Sequence, residues 1–225
     1  MTTSVEAPPV EEVTRADTHQ NYRALAVELI GTFFLVFTVG ATVSVASPLA
    51  PLAIGSVLMV MVYAGGHISG GHYNPAVTMA VLVRGRIRLA AAVEYWIVQI
   101  IGGVLAALVV RGVVIPHAGA STFSMGPAFV AELLFTFALA YVVLNVATSK
   151  DNANNSFYGL AIGFTIMVGA IAVGGISGGV FNPAVLIGGL VMGLFTPSAL
   201  LYLVAELAAG VLAGAVFRGL NPADK

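Results

Sequence analysis

Long apolar runs, separated by short polar or glycine-rich segments, dominate the chain. Six of these runs are candidate helices, at about 24–45, 51–66, 89–110, 127–148, 157–174 and 198–218. A helix that crosses a bilayer needs roughly 20 mainly apolar residues. The pattern therefore predicts an all-α membrane protein with six transmembrane helices. The second and fifth runs are shorter than the others, and each passes directly into a glycine-rich segment.

The first residues differ in kind from the rest of the chain. Residues 1–21 contain prolines and charged side chains with almost no aliphatic run, which favours a disordered tail. They also lack the basic start and apolar centre of a signal peptide. We therefore expect a disordered tail at 1–21, followed by one membrane domain at 22–219.

Composition supports a membrane protein and excludes several other classes. Of the 225 residues, 59% are hydrophobic and 8% are charged, whereas soluble domains carry about 25% charged residues. The net charge of -1 argues against nucleic acid as a partner. The absence of cysteine excludes disulfides and thiolate-bound metals. Because the sequence shows no nucleophile–base pair, phosphate loop or metal cluster, we expect neither an enzyme nor a cofactor or metal.

The basic residues predict how the chain is oriented. Six spans place eight of them on one side, namely Arg15, Arg23, Arg84, Arg86, Arg88, Lys150, Arg218 and Lys225, and leave Arg111 on the other. Basic residues in short loops favour the cytoplasmic side. We therefore expect both termini in the cytoplasm, and the short loops favour the plasma (inner) membrane of a prokaryote.

The chain also repeats itself at about half its length. Three pairs of segments correspond: 26–37 with 130–141, 69–77 (SGGHYNPAV) with 177–185 (SGGVFNPAV), and 99–109 with 206–216. Each half, about 22–112 and 126–219, contains three spans, so the second half must enter the membrane from the opposite face. Such an inverted repeat places its working site near the bilayer midplane.

The repeated Asn-Pro-Ala segments predict two short helices. Asn74 is a good N-cap and Pro75 suits the first helical position, so a helix should run from Pro75 to near Gly85. Ten residues span ~15 Å, which is half of the ~30 Å hydrocarbon core. Asn182 and Pro183 predict the same from the other face. We therefore expect two re-entrant half-helices that meet tip to tip.

This arrangement predicts a pore between the two tips. Irregular backbone at that depth must be buried in protein or line a wet cavity, so 65–73 and 174–181 should line the pore. Asn74 and Asn182 should cap their helices through the side-chain oxygen and leave their amide NH2 groups free to donate into the lumen. Because both half-helices point their positive ends at the centre, cations and protons are disfavoured and neutral acceptors are not.

These motifs resemble those of the aquaporins. The resemblance rests on Gly66–Thr78 (GHISGGHYNPAVT) and Ser177–Ala184 (SGGVFNPA), and it covers about 22–218. It implies an aquaporin-like channel domain in the lipid bilayer, with a pore through each subunit of a homotetramer and water and small neutral solutes as its partners. The implied pore motif is Asn74, Pro75 and Ala76 with Asn182, Pro183 and Ala184.

One position departs from the family pattern. Where aquaporins usually carry arginine after the second motif, this chain has Val185. Aligned on the motifs, the other three positions of that selectivity constriction are Ile54, Ala170 and Gly179. All four are apolar and mostly small, which predicts a wide hydrophobic gate for ammonia, urea and hydrogen peroxide alongside water. Glycerol stays open, because Leu186 and Leu190 replace the acidic and basic pair that resembles glycerol facilitators.

Other polar residues are expected to support the pore loops. The resemblance includes the intramembrane residues Glu28, Glu132 and Gln99, and we expect these, with His67, to hold the loops in place. The alternative role for the two glutamates is that of proton relays. Glu206 occupies the repeat position of Gln99, and it could be a protonated scaffold group, a subunit contact or a pH-sensitive element. Tyr95 and Trp96 are expected to be interfacial anchors.

Two alternatives to a passive channel remain open from the sequence. The chain could be a structural membrane protein with a closed pore. It could also be a secondary transporter, since those use inverted repeats and broken helices as well. A transporter needs coupling-ion ligands or a moving charged site, whereas the predicted midplane offers two neutral asparagines.

Overall fold

The computed structural model describes residues 10–114 and 119–224. Along these described ranges, eight α-helices follow one another: α1 Val10–Ser44, α2 Ala50–Ser69, α3 Pro75–Arg84, α4 Leu89–Val109, α5 Met125–Val143, α6 Tyr158–Ser177, α7 Pro183–Met192 and α8 Tyr202–Leu220. α4 and α5 end in π-helical turns, Val110–Val114 and Leu144–Thr148, and 3-10 turns occupy Lys150–Asn152 and Pro197–Leu201. Within the described residues, β-pairing is limited to one isolated bridge between Ser121 and Phe195.

Six of these helices are long and apolar enough to cross a membrane, and α3 and α7 are the two short ones. The all-α membrane fold with six spans and two half-helices is thereby confirmed. The lengths expected for the second and fifth spans were wrong, because α2 and α6 each have 20 residues. Both helices continue through paired glycines and end only at Gly70 and Gly178, whose φ angles are 90° and 92°.

The start of the first helix bears on the predicted tail. α1 begins at Val10, and its apolar spanning part begins at Asn21. The tail expected at 1–21 therefore overlaps the helix, and its first nine residues lie outside the described part of the chain.

Helix packing follows the inverted repeat. α1 packs on α4 and α2, and in the second half α5 packs on α8 and α6. The half-helices exchange partners between the halves, since α3 packs against α8 and α7 packs against α4. Each half therefore completes the other, and neither forms a pore wall alone.

α2 of the first half and α6 of the second half cross at close range. A Cβ placed on Gly55 would lie 2.6 Å from the carbonyl oxygen of Gly163, so only glycine fits there. Small residues allow helix backbones to approach closely in membranes. The two re-entrant loops follow directly from the C-terminal ends of these helices.

One end of the bundle carries most of the basic side chains, and we call it the basic end. It contains Arg84, Arg86 and Lys150, which all lie near Asp224. Arg84 is nearly buried, donates to the side chain and the carbonyl oxygen of Asp224 at 2.8 Å, and lies over the ring of Phe217. The segment after α8 thus fastens the far end of α3.

Candidate functional site: a pore between two half-helices

The two re-entrant loops have the same backbone shape. Gly70 and Gly178 are followed by Gly71 and Gly179 at φ 64° and 66°, and then by Tyr73 and Phe181 at φ 48° and 51°. Positive φ is uncommon for bulky residues, and such conformations concentrate at functional sites. In both loops it turns the residue before the asparagine so that its carbonyl oxygen faces the opposite half.

Glu28 holds the first loop. Its fully buried carboxylate accepts hydrogen bonds from the Ser69 hydroxyl at 2.7 Å, from His72 N–H at 2.9 Å and from Tyr73 N–H at 2.7 Å. It also accepts one from Gln99 Nε2 at 2.9 Å. Hydrogen bonds to a charged acceptor are among the stronger ones in proteins, so Glu28 fixes a segment that has no helix of its own.

Glu132 holds the second loop in the equivalent way. It is also fully buried, and it accepts from the Ser177 hydroxyl at 2.6 Å, Val180 N–H at 3.0 Å and Phe181 N–H at 2.7 Å. Both glutamates therefore contact the re-entrant loops that they were expected to support.

Asn74 and Asn182 begin the two half-helices as N-caps. Asn74 Oδ1 accepts from Ala76 N–H at 2.8 Å, and Asn182 Oδ1 accepts from Ala184 N–H at 2.9 Å. Proline follows each asparagine, and each half-helix has ten residues. The bounds agree with those that the sequence predicts.

The same asparagines also link the two halves. Asn74 Nδ2 donates to the carbonyl oxygen of Phe181 at 2.8 Å, and Asn182 Nδ2 donates to that of Tyr73 at 2.9 Å. The expectation that both amide NH2 groups are free is therefore only half right, because each donates one hydrogen bond to the opposite loop. An amide NH2 has two N–H donors, so one on each side is left for a molecule in the pore.

A cavity of about 220 Å³ runs from these asparagines toward the end of the bundle opposite the basic end. All four residues expected at the constriction line it, namely Ile54, Ala170, Gly179 and Val185. A Cβ on Gly179 would lie 3.3 Å from Ala170 Cα, so these two residues are in contact in the lining of the cavity. None of the described residues that line the cavity is Lys, Arg, Asp or Glu.

Several residues of the site were missed or misjudged from the sequence. Tyr95 donates its hydroxyl to Ser69 O at 2.8 Å, and its repeat equivalent Tyr202 donates to Ser177 O at 3.0 Å. Trp96 donates to Pro75 O at 3.1 Å. Tyr95 and Trp96 are thus ties to the pore loop rather than interfacial anchors. Comparison of the two halves would have found the tyrosines, since both occupy equivalent positions.

The two histidines near the first loop have different surroundings. His72 lines the cavity, and its Nδ1 lies 3.0 Å from the hydroxyl of Thr78. His67 is exposed and lines a separate cavity beside the 152–155 loop. Within the part of the chain that the structure describes, His67 makes no hydrogen bond. No hydrogen bond there supports the role in holding the loop that was expected of His67.

One repeat-related pair of polar residues differs between the halves: Gln99 on α4 in the first half and Glu206 on α8 in the second. Gln99 Nε2 donates to Glu28 and, at 3.0 Å, to the Thr78 hydroxyl, while its Oε1 has no hydrogen-bond partner among the described residues. Glu206, fully buried on α8, accepts from Asn182 N–H at 2.9 Å through Oε1. Its Oε2 likewise has no partner in the described chain.

Comparison with known proteins agrees with this architecture. The model of the family described as "Major intrinsic protein" matches residues 15–217. The chain is 41% identical to the "Glycerol uptake facilitator protein-like 6" of Lactiplantibacillus plantarum, over 72% of this chain and 80% of that protein. It is 34% identical to the "Probable aquaporin TIP2-2" of Oryza sativa subsp. japonica, over 87% of this chain and 86% of that one.

A solved structure supports the fold. The X-ray structure of the aquaglyceroporin from Plasmodium falciparum superposes with a TM-score of 0.71, covering 87% of this chain and 93% of that one. At 23% sequence identity, this likeness carries the fold alone.

Proposed function

The chain belongs to the major intrinsic protein family, and on that premise we propose that its pore passes ammonia, urea and hydrogen peroxide as well as water. The family consists of passive channels for water and small solutes rather than enzymes, and the chain is an integral, multi-pass membrane protein. The solutes follow from the wall of the cavity.

The observation that carries the proposal is the apolar constriction. Ile54, Ala170, Gly179 and Val185 supply no charge and no side-chain donor to the cavity. An arginine there would fix a positive charge in the path and occupy part of its width. Without it, the gate selects against solutes with a large desolvation penalty, and small neutral molecules lose least on entry.

Glycerol is the second candidate solute. One similar protein is named as a glycerol uptake facilitator-like protein, and a wide apolar wall suits a carbon backbone. Leu186, however, is fully buried, and neither it nor Leu190 can supply a charged pair beside the second motif. We therefore place glycerol after urea in the expected order of permeability.

Exclusion of protons and cations rests on the centre of the pore in this proposal. The positive ends of α3 and α7 face each other, and each carries an asparagine N–H donor. Water that accepts from both donors cannot continue an unbroken proton wire through the same point.

Assembly and orientation are part of the proposal. Large apolar side chains are exposed on the outer faces of the spans, among them Ile30, Phe34, Leu134 and Phe164, and these faces suit both lipid and neighbouring copies in a homotetramer. The basic end, with Arg84, Arg86, Lys150 and Arg218, favours the cytoplasmic side. Both termini would then be cytoplasmic, in the plasma (inner) membrane.

The decisive experiment is stopped-flow light scattering on proteoliposomes with water, ammonia, urea, hydrogen peroxide and glycerol gradients. We compare the wild type with Val185→Arg, and with Val185→Met as a control that adds length without charge. Val185→Arg should keep water flux and lose urea flux, while Val185→Met should lose less urea flux.

Three results would contradict the proposal. An unchanged solute range in Val185→Arg would show that Val185 is not at the constriction. No flux of any neutral solute through the wild type would favour a structural protein with a closed pore. Saturable uptake that depends on an ion gradient would favour a transporter.

A further inference from the structure

We propose that Glu206 is a positioning residue for Asn182 and that it acts as a neutral carboxylic acid, sharing its proton with the carboxylate of Glu132. The first half of the chain supplies the pattern, since the amide of Gln99 occupies the same place beside Glu28. The proposal concerns how the pore motif is held, and it does not depend on which solute the channel passes.

The backbone of the second loop places the two carboxyl groups side by side. Val180 and Phe181 donate their N–H groups to Glu132, and the next residue, Asn182, donates its N–H to Glu206 Oε1 at 2.9 Å. Successive Cα atoms are only 3.80 Å apart. Two carboxyl groups that accept from consecutive N–H groups must therefore lie close to each other.

The repeat indicates which group lies beside Glu206 Oε2. In the first half, Gln99 Nε2 donates to Glu28 Oε2 at 2.9 Å, the same oxygen that accepts from Tyr73 N–H. Glu206 stands at the Gln99 position, and Glu132 stands at the Glu28 position. The Oε2 atom of Glu206, which has no partner among the described residues, is therefore the counterpart of a nitrogen that donates.

A second buried carboxylate at this place would be unfavourable. Glu206 and Glu132 are both fully buried, and two like charges in one buried site disfavour each other's ionised form. If Oε2 carries a proton, it becomes a donor to the Glu132 carboxylate while Oε1 still accepts from Asn182. One proton thus satisfies the orphaned oxygen and removes one buried charge.

In the part of the chain that the structure describes, Glu132 is the carboxyl group that the helices around Glu206 place at its level. Among the helices packed against α8, α5 contributes Glu132 and, nine residues further along, Tyr141, α3 contributes only Arg84 at its far end, and α7 has no ionisable side chain. On α8 itself the ionisable groups besides Glu206 are Tyr202, whose hydroxyl is bonded to Ser177 O, and Arg218 in the last turn. Glu132 is therefore the group with which the proton of Glu206 is shared.

The functional consequence concerns Asn182. Its N–H is held by Glu206, its Oδ1 caps α7 and its Nδ2 links to Tyr73. Glu206 thus fixes the backbone of the residue whose remaining amide N–H faces the pore. Neutrality of Glu206 also keeps a negative charge away from the positive tip of α7.

Infrared spectroscopy of the purified protein in lipid at neutral pH tests the proton directly. A protonated carboxylic acid has a C=O stretching band that is separate from the carboxylate bands and shifts in deuterium oxide. With carbon-13-labelled glutamate, the wild type should show such a band, and Glu206→Gln should lose it. Absence of any protonated glutamate band in the wild type would overturn the proposal, whether or not the variants fold.

Water permeability separates positioning from packing. Glu206→Gln keeps a side-chain oxygen that can accept from Asn182 N–H and adds an NH2 group that can donate to Glu132, as Gln99 Nε2 donates to Glu28, so its water permeability should stay within about twofold of the wild type. Glu206→Leu has similar volume but accepts nothing from Asn182, and its water permeability should fall several-fold more. Equal loss in the two variants, measured on equal amounts of folded protein, would also overturn the proposal.

Discussion

The half-helices α3 and α7 are alike at the pore and unlike away from it. Both begin with a capping asparagine, a proline and an alanine, and both tips are tied to the opposite loop by one amide N–H. One layer further out, Thr78 in α3 corresponds to Leu186 in α7, and Gln99 corresponds to Glu206. The two halves thus share the groups that contact a solute. The residues that support those groups differ between the halves.

Their far ends differ as well. α3 ends at the buried Arg84, which is paired with Asp224. The same position in α7 is Met192, which is buried without a charge and packs against Gly40 of α1. One half-helix is therefore anchored by charge and the other by apolar packing, so the two can be disturbed separately.

The largest expected effect comes from removing the loop glutamates. Glu28→Leu and Glu132→Leu each leave buried loop N–H groups without an acceptor, and we expect a loss of about 3–5 kcal/mol of stability from each. Denaturant titration in detergent measures this. Glu28 accepts four hydrogen bonds from described residues, and Glu132 would also accept four if Glu206 donates to it. A clearly smaller loss of stability in Glu132→Leu than in Glu28→Leu would therefore mean that Glu206 donates no hydrogen bond to Glu132.

Next in size are the tip asparagines. Asn74→Ala or Asn182→Ala removes a helix cap worth about 1 kcal/mol and a cross-link worth about 1 kcal/mol. Because both cross-links close the same contact between the loops, the double variant should cost less than the sum. Thermal unfolding tests this, and a fully additive double variant would mean that the two ties act independently.

A smaller effect is expected at the basic end. Asp224→Asn removes the charge that faces Arg84, Arg86 and the Lys150 N–H, so the melting temperature should fall, while Asp151→Asn in the exposed loop nearby should leave it unchanged. At the corresponding end of α7, Met192→Leu should have little effect, since volume-conserving apolar exchanges are well tolerated. Equal melting temperatures for Asp224→Asn and Asp151→Asn would show that the charge does not anchor α3.

The smallest expected effect is a dependence of the melting temperature on acidic pH. The hydrogen bond from Lys150 N–H, and then the bonds and charge of Arg84, lower the pKa of Asp224 from its ordinary 3.8. A lowered pKa stabilises the fold above pH 3.8, and this contribution is lost as the pH falls through the lowered value. Melting temperatures below pH 4 should therefore converge for the wild type and Asp224→Asn, and a constant difference across that range would contradict the assignment.

Local chemistry explains which parts of this structure follow from sequence. The half-helices were predictable because a capping asparagine, a proline and a terminal glycine act within a few residues of each other. The ends of α2 and α6 were placed too early because glycine was taken as a helix breaker. In lipid the backbone must satisfy its own hydrogen bonds, so a helix there continues through glycines that would break it in water.

Contacts between distant residues could not be predicted in this way. The tie from Asn74 to Phe181 O joins residues 107 apart, and the pair of Arg84 with Asp224 joins residues 140 apart. Tyr95 was misjudged because an aromatic near the start of a span is typical of an interface, and only tertiary packing shows that it points inward to Ser69 O. Val185 could be placed at the cavity because it directly follows the second Asn-Pro-Ala motif, which determines its register.

The partners of α3 also set an order for biogenesis. This half-helix leaves the ribosome early, yet it packs against α8 and is fastened by Asp224, which are translated more than a hundred residues later. Until those residues are made, α3 lacks its contacts with α8, and Arg84 lacks the carboxylate of Asp224. The packing of α3 against α8 can therefore form only after the sixth span has been made, so this part of the pore wall is completed late in synthesis.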